Sequence, residues 1–150
     1  MTFGDRRRLT CMDYKLELII VPVSDVDRAK AFYVEQMGFD LLVDHRPNPD
    51  FRVVQLVPKG SSCAIAIGTG IHGDMTPGGL TGLHLLVTDI VAARDELRAR
   101  GVEVEEIRNV DRTGVWQEGP HAERADYNSF ATLRDPDGNT WLLQERGFTG

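Results

Sequence analysis

From position 15 onward the chain alternates between short apolar runs and amphipathic stretches, and the period of each predicts an element. Residues 18–23 are an apolar run with polar flanks, the pattern of a buried strand. Ser24 and Asp27 then resemble the two ends of a capping box, with Asp in place of Glu or Gln. Val26, Ala29, Tyr33 and Met37 follow at helical spacing with Phe32 beside them, so one helix face packs on a sheet, and Gly38 ends the helix. Strand-like runs come next at 39–44, 51–57 and 63–67, with Pro47, Pro49 and Lys59-Gly60 marking the turns. The pattern then restarts. Residues 80–87 read as a strand, and Thr88-Asp89 opens a helix with Ile90, Ala93 and Leu97 on one face and Gly101 at its end. A strand at 102–107 leads to a long polar loop over about 109–128. Strands at 129–133 and 140–145 are joined by the turn Asp135-Pro136-Asp137-Gly138-Asn139.

The restart is an internal repeat. Val23-Ser24-Asp25-Val26 aligns with Val87-Thr88-Asp89-Ile90, and Pro58-Lys59-Gly60 aligns with Pro136-Asp137-Gly138. Each half reads β-α-β-β-β. One such half cannot cover both its sheet and its helix, so the two must associate. The expected organisation is a tail at 1–14, flexible and with Met12 as an alternative start, a first module at 15–70, a linker at 71–79 and a second module at 80–146. Gly68-Thr69-Gly70 and Gly78-Gly79 read as hinge-like stretches between the modules.

Composition narrows the function. The chain of 150 residues carries 17 Lys plus Arg against 23 Asp plus Glu, a net charge of −6. That balance argues against nucleic acid as a partner. No apolar run approaches the roughly 18 residues of a membrane span, and no secretory leader pattern follows Arg6-Arg7-Arg8. Cys11 and Cys63 form neither a CxxC nor a disulfide framework, and fit free thiols in a cytoplasmic protein. Nucleotide-loop and nucleophile-elbow motifs are missing.

Three segments in order, VPVSDVDRAKAFYVEQMGF at 21–39, GLHLLVTDIVAARDELRARGVEV at 82–104 and FATLRDPDGNTWLLQE at 130–145, resemble the vicinal oxygen chelate superfamily. That superfamily includes glyoxalase I, the bleomycin-resistance proteins and the extradiol dioxygenases. The resemblance covers about 15–146, one domain overall. It implies an α+β fold of two tandem βαβββ modules whose curved sheets form a half-open barrel around a pocket. It also implies a homodimer, in some members with each pocket built from one module of each chain.

The resemblance further implies a divalent metal held by four His or Glu side chains, two per module, acting as a Lewis acid on vicinal oxygens. Their places fall seven residues before the helix-opening Asp and four after the late turn Gly. Counting from Asp25, Asp89, Gly60 and Gly138 gives Leu18, Gly82, Ala64 and Leu142. None of the four can ligate a metal through its side chain, and a one-residue slip would turn the strand side chains away from the pocket. The expectation is therefore no metal and no other cofactor. Leu18, Ala64, Gly82 and Leu142 become lining residues instead.

By strand parity His84 shares a face with Gly82, and Gln144 with Leu142. These two polar residues either orient a ligand, with His84 as a candidate base, or satisfy each other in the interior. Trp116, in the long loop, either closes over a flat ligand or plugs a dimer contact. Trp141 should face the helix side or an interface, with core packing the first reading. Cys63 reads as a structural buried thiol. His45, His72 and His121 read as turn or loop residues, with a metal site shared with His84 as an outside alternative. Three readings follow. The first is a metal-free protein binding a small apolar or cationic molecule in the inter-module pocket. The second is an enzyme of lyase, isomerase or dioxygenase type, using a displaced metal or acid/base work by His84 with Glu145 or Gln144. The third is a non-catalytic partner module.

Overall fold

The computed structural model describes residues 12–150. The expectations for the N-terminal tail up to Cys11 lie outside the described residues. The first half runs β1 (Leu18–Ile20), α1 (Val26–Ala31), β2 (Asp40–Asn48), β3 (Phe51–Val57) and β4 (Ala64–Thr69). Its four strands form one sheet in the order β1-β4-β3-β2. The second half runs β5 (Leu83–Val87), α2 (Ile90–Ala99), β6 (Arg108–Val110), β7 (Trp116–Glu118), β8 (Ser129–Arg134) and β9 (Thr140–Glu145). Its sheet has five strands in the order β5-β9-β8-β6-β7. In each half the first and last strands pair in parallel, and the neighbouring pairs are antiparallel. The α+β architecture of two modules with curved sheets stands as expected.

Local expectations fail where a tertiary contact outcompetes a local one. Asp25, not Ser24, caps α1, its carboxylate accepting from Arg28 N at 3.0 Å. Ser24 instead donates its backbone N–H and its hydroxyl to Asp137 of the other half. After one and a half turns α1 widens into a π-turn at Phe32–Gln36, closed by Met37 N to Phe32 O at 3.0 Å. The widening turns two adjacent aromatics, Phe32 and Tyr33, into the core together. In the second half the expected strand at 102–107 is reduced to a bridge from Val104 to Leu133. The strand forms at β6 instead. Within the expected loop, Trp116–Glu118 adds β7 to β6, so this half is not a plain βαβββ unit.

The expected hinges are packed. Gly68 lies inside β4, and a Cβ there would sit 1.9 Å from the Arg52 carbonyl oxygen. At Gly78 a Cβ would sit 2.1 Å from the Asp137 carbonyl oxygen. Both glycines allow close backbone approach.

One core runs through both halves. Val54, Leu56, Ile65 and Ile67 come from the first sheet, and Leu133, Trp141 and Leu143 from the second. At the junction Tyr33 stacks on Phe39 at 5.5 Å, and Trp141 lies 5.8 Å from Tyr33 and 5.7 Å from Phe39. The Tyr33 hydroxyl donates to Asp135 Oδ2 at 2.8 Å and accepts from Trp141 Nε1 at 2.9 Å. Burial, with the Asp135 carboxylate next to it, pushes this phenol far above its ordinary value, so it remains a donor. Asn139 completes the joint. Its Nδ2 donates to Pro22 O and Asp135 Oδ2, each at 2.8 Å, and its Oδ1 accepts from Leu80 N at 3.0 Å.

Candidate functional site

Register decides which side chains share the open face of the second sheet. His84 pairs with Leu142, and Leu86 with Gln144. Leu142 pairs with Thr132 and Gln144 with Phe130. Phe130 pairs with Arg108, and two residues on Val110 pairs with Trp116. Because side chains alternate, His84, Leu86, Leu142, Gln144, Thr132, Phe130, Arg108 and Trp116 all lie on one face. None of them is fully buried. The opposite face carries Trp141, Leu143, Leu133, Ala131 and Glu145, all buried.

On the first sheet Leu18 pairs with Ala64, and Ile20 with Ala66. Leu18, Ile20, Ala64 and Ala66 therefore share one face, with both alanines buried. A cleft of about 500 Å³ lies between this edge and β5, reached by Ile19, Cys63, Ala64, Gly82, His84 and Trp141 among others. Of the expected site residues, Ala64, Gly82 and His84 meet in this cleft. Leu18 and Leu142 stand beside them on neighbouring strands. The second sheet pairs Leu142 with His84 rather than with Gly82, two residues from the counted position, and this preserves the face. Gly82 itself has φ +88° and open space where a Cβ would be.

Trp116 is not over this cleft. It lies in β7, four strands from β5, about 19 Å across the sheet at the usual strand spacing. Its ring meets Phe130 at 5.4 Å and the Arg108 guanidinium at 4.7 Å, and it remains half exposed. Trp141 packs in the core, as expected. His45 lies in β2 rather than in a turn. Cys63 is half-buried at the cleft, its Sγ 3.6 Å from Ala64 O, rather than a core thiol. Sequence reasoning missed Phe130 and Arg108 on the open face. Parity with Gln144 across the final hairpin turn was the signal that could have found Phe130.

His84 and Gln144 do not satisfy each other. His84 Nδ1 is 2.8 Å from Gly82 O. A carbonyl only accepts, so Nδ1 carries a proton, and in the neutral imidazole Nε2 is then the acceptor. Gln144 Nε2 donates to Tyr127 O at 3.2 Å. Glu145 cannot assist His84. It is fully buried on the opposite face, accepting from Ile90 N and the Arg124 guanidinium. Burial raises its carboxyl and these donors lower it, leaving it below its ordinary value. The four places counted for a superfamily metal hold Leu18, Ala64, Gly82 and Leu142, whose side chains offer no donor that fits one. Among the described residues no three His, Cys, Asp or Glu come together as a cation site, so the outside histidine alternative is not formed.

Residues 15–143 match the family model of the Glyoxalase/Bleomycin resistance protein/Dioxygenase superfamily. The chain belongs to that superfamily. Among solved structures it is similar to TnmS3, an antibiotic binding protein from Streptomyces sp. CB03234, at 34% identity and TM-score 0.70, covering 91% of this chain and 98% of that one. A glyoxalase/bleomycin resistance protein from the same strain is 36% identical, with TM-score 0.66 over 87% of this chain and 100% of that one. A superfamily member from Sphaerobacter thermophilus is 30% identical, with TM-score 0.71 over 91% of this chain and 100% of that one. Among the described residues no helix is long and apolar enough to cross a membrane.

Proposed function

We propose that this chain is a metal-independent binding protein of the superfamily, holding a small, largely apolar or cationic molecule against the open face of the second sheet. The observation that carries the reading is that face itself. Leu86, Leu142, Phe130 and, at the far edge, Trp116 supply apolar and aromatic area, while His84 supplies a ring nitrogen beside Leu86 and Leu142. A homodimer supplies the second wall in this reading, since Leu41, Leu42, Val43, Leu86 and Trp116 are left exposed. The net charge of −6 favours cations. The likeness to an antibiotic binding protein supports a ligand of antibiotic type. The place of action in this reading is the cytoplasm.

The test is a melting scan against bleomycin-type and flat aromatic antibiotics, run beside Ni, Zn, Mn and Fe. A ligand at a hundredfold excess over its Kd adds about 2.7 kcal/mol, roughly 5–10 °C for a chain of this size. The expected result is such a rise with at least one organic compound and none with the metals. A metal-induced rise with a stoichiometric bound ion overturns the reading. A second reading, acid/base catalysis by His84, is favoured by its free Nε2. It requires turnover that His84→Ala abolishes.

A further inference from the structure

The segment 119–128 between β7 and β8 has little regular structure, yet its bonds converge on the end of β9 and the residues after it. Arg124 Nε and Nη2 donate to Glu145 Oε1 and Oε2 at 2.8 and 2.6 Å. Tyr127 N donates to Glu145 O at 2.7 Å, and Gln144 Nε2 to Tyr127 O at 3.2 Å. Gly147 N donates to Asp126 Oδ1 at 2.8 Å, and the Arg124 guanidinium lies 3.6 Å from the Phe148 ring centroid. Arg124 and Tyr127, at φ 52° and 67°, are the non-glycine residues with positive φ among the described residues. Neither residue type takes that conformation readily, so something must hold the segment in place.

We infer that the Arg124–Glu145 pair is a latch, with Arg124 a positioning residue for the open face. The pair holds residues 124–127 against β9, and Tyr127 O then fixes where the Gln144 side chain points. Glu145 is 0% exposed and Arg124 20%, so the bidentate pair is shielded from solvent and closes directionally. Glu145 and Gln144 are neighbours on opposite faces of β9. One strand therefore transmits a buried ion pair on its inner face to the amide on its open face. The consequence for binding rests on the function proposed above; the latch does not.

Arg124→Ala would leave a buried carboxylate unpaired and can unfold the chain. The informative variant is Arg124→Gln with Glu145→Gln, which removes both charges, with Arg124→Lys as the conservative comparison. Amide exchange by NMR should rise about tenfold or more at Tyr127 and Gly147 in the double variant, while β4 amides at Ile65 and Ile67 stay at parent rates. The Gln144 side-chain amide should lose its protection, and Arg124→Lys should restore part of it. Exchange that is unchanged, or that rises equally in β4, overturns the latch, as does a Gln144 amide that never changes. Acridine orange, a flat aromatic cation, reads the binding consequence. A weaker Kd in the double variant, restored in part by Arg124→Lys, supports the positioning role. An unchanged Kd with a locally opened loop overturns that role and leaves the latch. Failure of the parent to bind counts against the proposed function, while exchange still decides the latch.

Discussion

The two halves began from one sequence pattern and are used differently. Both open their helix with the same device, Asp25 and Asp89 each capping through a carboxylate. Both end the helical segment on a left-handed glycine, Gly38 and Gly101. They part at the late turn. Lys59-Gly60 sits at the mouth of the cleft, with Lys59 largely exposed in an ion pair to Asp40. Its counterpart Asp137-Gly138, with Asn139 after it, is inserted against Pro22 and Ser24 of the first half and Gly78 of the linker. The open faces differ as well. In the first, Gln55 lies beside the buried Ala64 and Ala66; the second carries His84, Gln144, Phe130 and Trp116, none of them fully buried. A repeat therefore specifies a scaffold, and departures from it give the two halves different late turns and different faces.

The contrast is most severely tested at the shared core. Trp141→Ala removes the ring that meets Tyr33 and Phe39, and should cost about 3–5 kcal/mol in urea denaturation. If the loss is under 1 kcal/mol, the halves are not joined there. Next comes the docked turn. Asn139→Ala orphans Leu80 N, strips Pro22 O of one of its two donors while Gly78 N remains, and should cost about 2–3 kcal/mol.

Acid should separate the halves further. The Glu145 carboxyl lies below its ordinary 4.5 when folded. Asp44 is likewise held well below its ordinary range by hydrogen bonds from Arg52 and Lys30. Depressed carboxyls contribute stability that is complete above their unfolded values and is lost as pH falls through the folded ones. The denaturation midpoint should be flat from pH 6 to 7 and fall below about pH 4.5. The Arg124→Gln, Glu145→Gln variant should show a shallower acid slope. An identical slope would take the acid dependence away from the Arg124–Glu145 pair.

His84→Ala should change stability by less than about 0.5 kcal/mol, because the side chain is exposed. It should weaken by several-fold whichever compound raises the melting temperature. Unchanged affinity removes His84 from the site. The smallest effect is expected at the first turn, where Lys59→Ala should fall within about 0.5 kcal/mol of the parent. A loss as large as that of Asn139→Ala would erase the distinction between the two turns.

Much of the fold was legible because strands and helices carry their periods locally. The runs at 51–57 and 140–145 form strands with those bounds, and Asp89 opens α2 as read. Strand parity also placed His84, Leu142 and Gln144 on one face, since alternation holds whatever the neighbours are. What failed depended on partners distant in sequence. Ser24 gave up its local cap for Asp137, across 113 residues. Trp116, read as a loop residue, joined a sheet edge whose partner strand was itself misplaced. Glu145, a candidate for acid/base work by sequence proximity alone, went to the inner face under Arg124.

The sequence by itself determined the repeat, most of the element types, the family and the absence of metal-binding side chains at four counted places, because each depends on residue identity and spacing along the chain. Only the tertiary structure decided which turn is buried, which face of the second sheet stays open, and that Gln144 is tied to Tyr127 while His84 keeps Nε2 unused. These depend on register and on hydrogen bonds between segments far apart in sequence, where a local rule gives way to the pairing that leaves fewest buried polar groups unsatisfied.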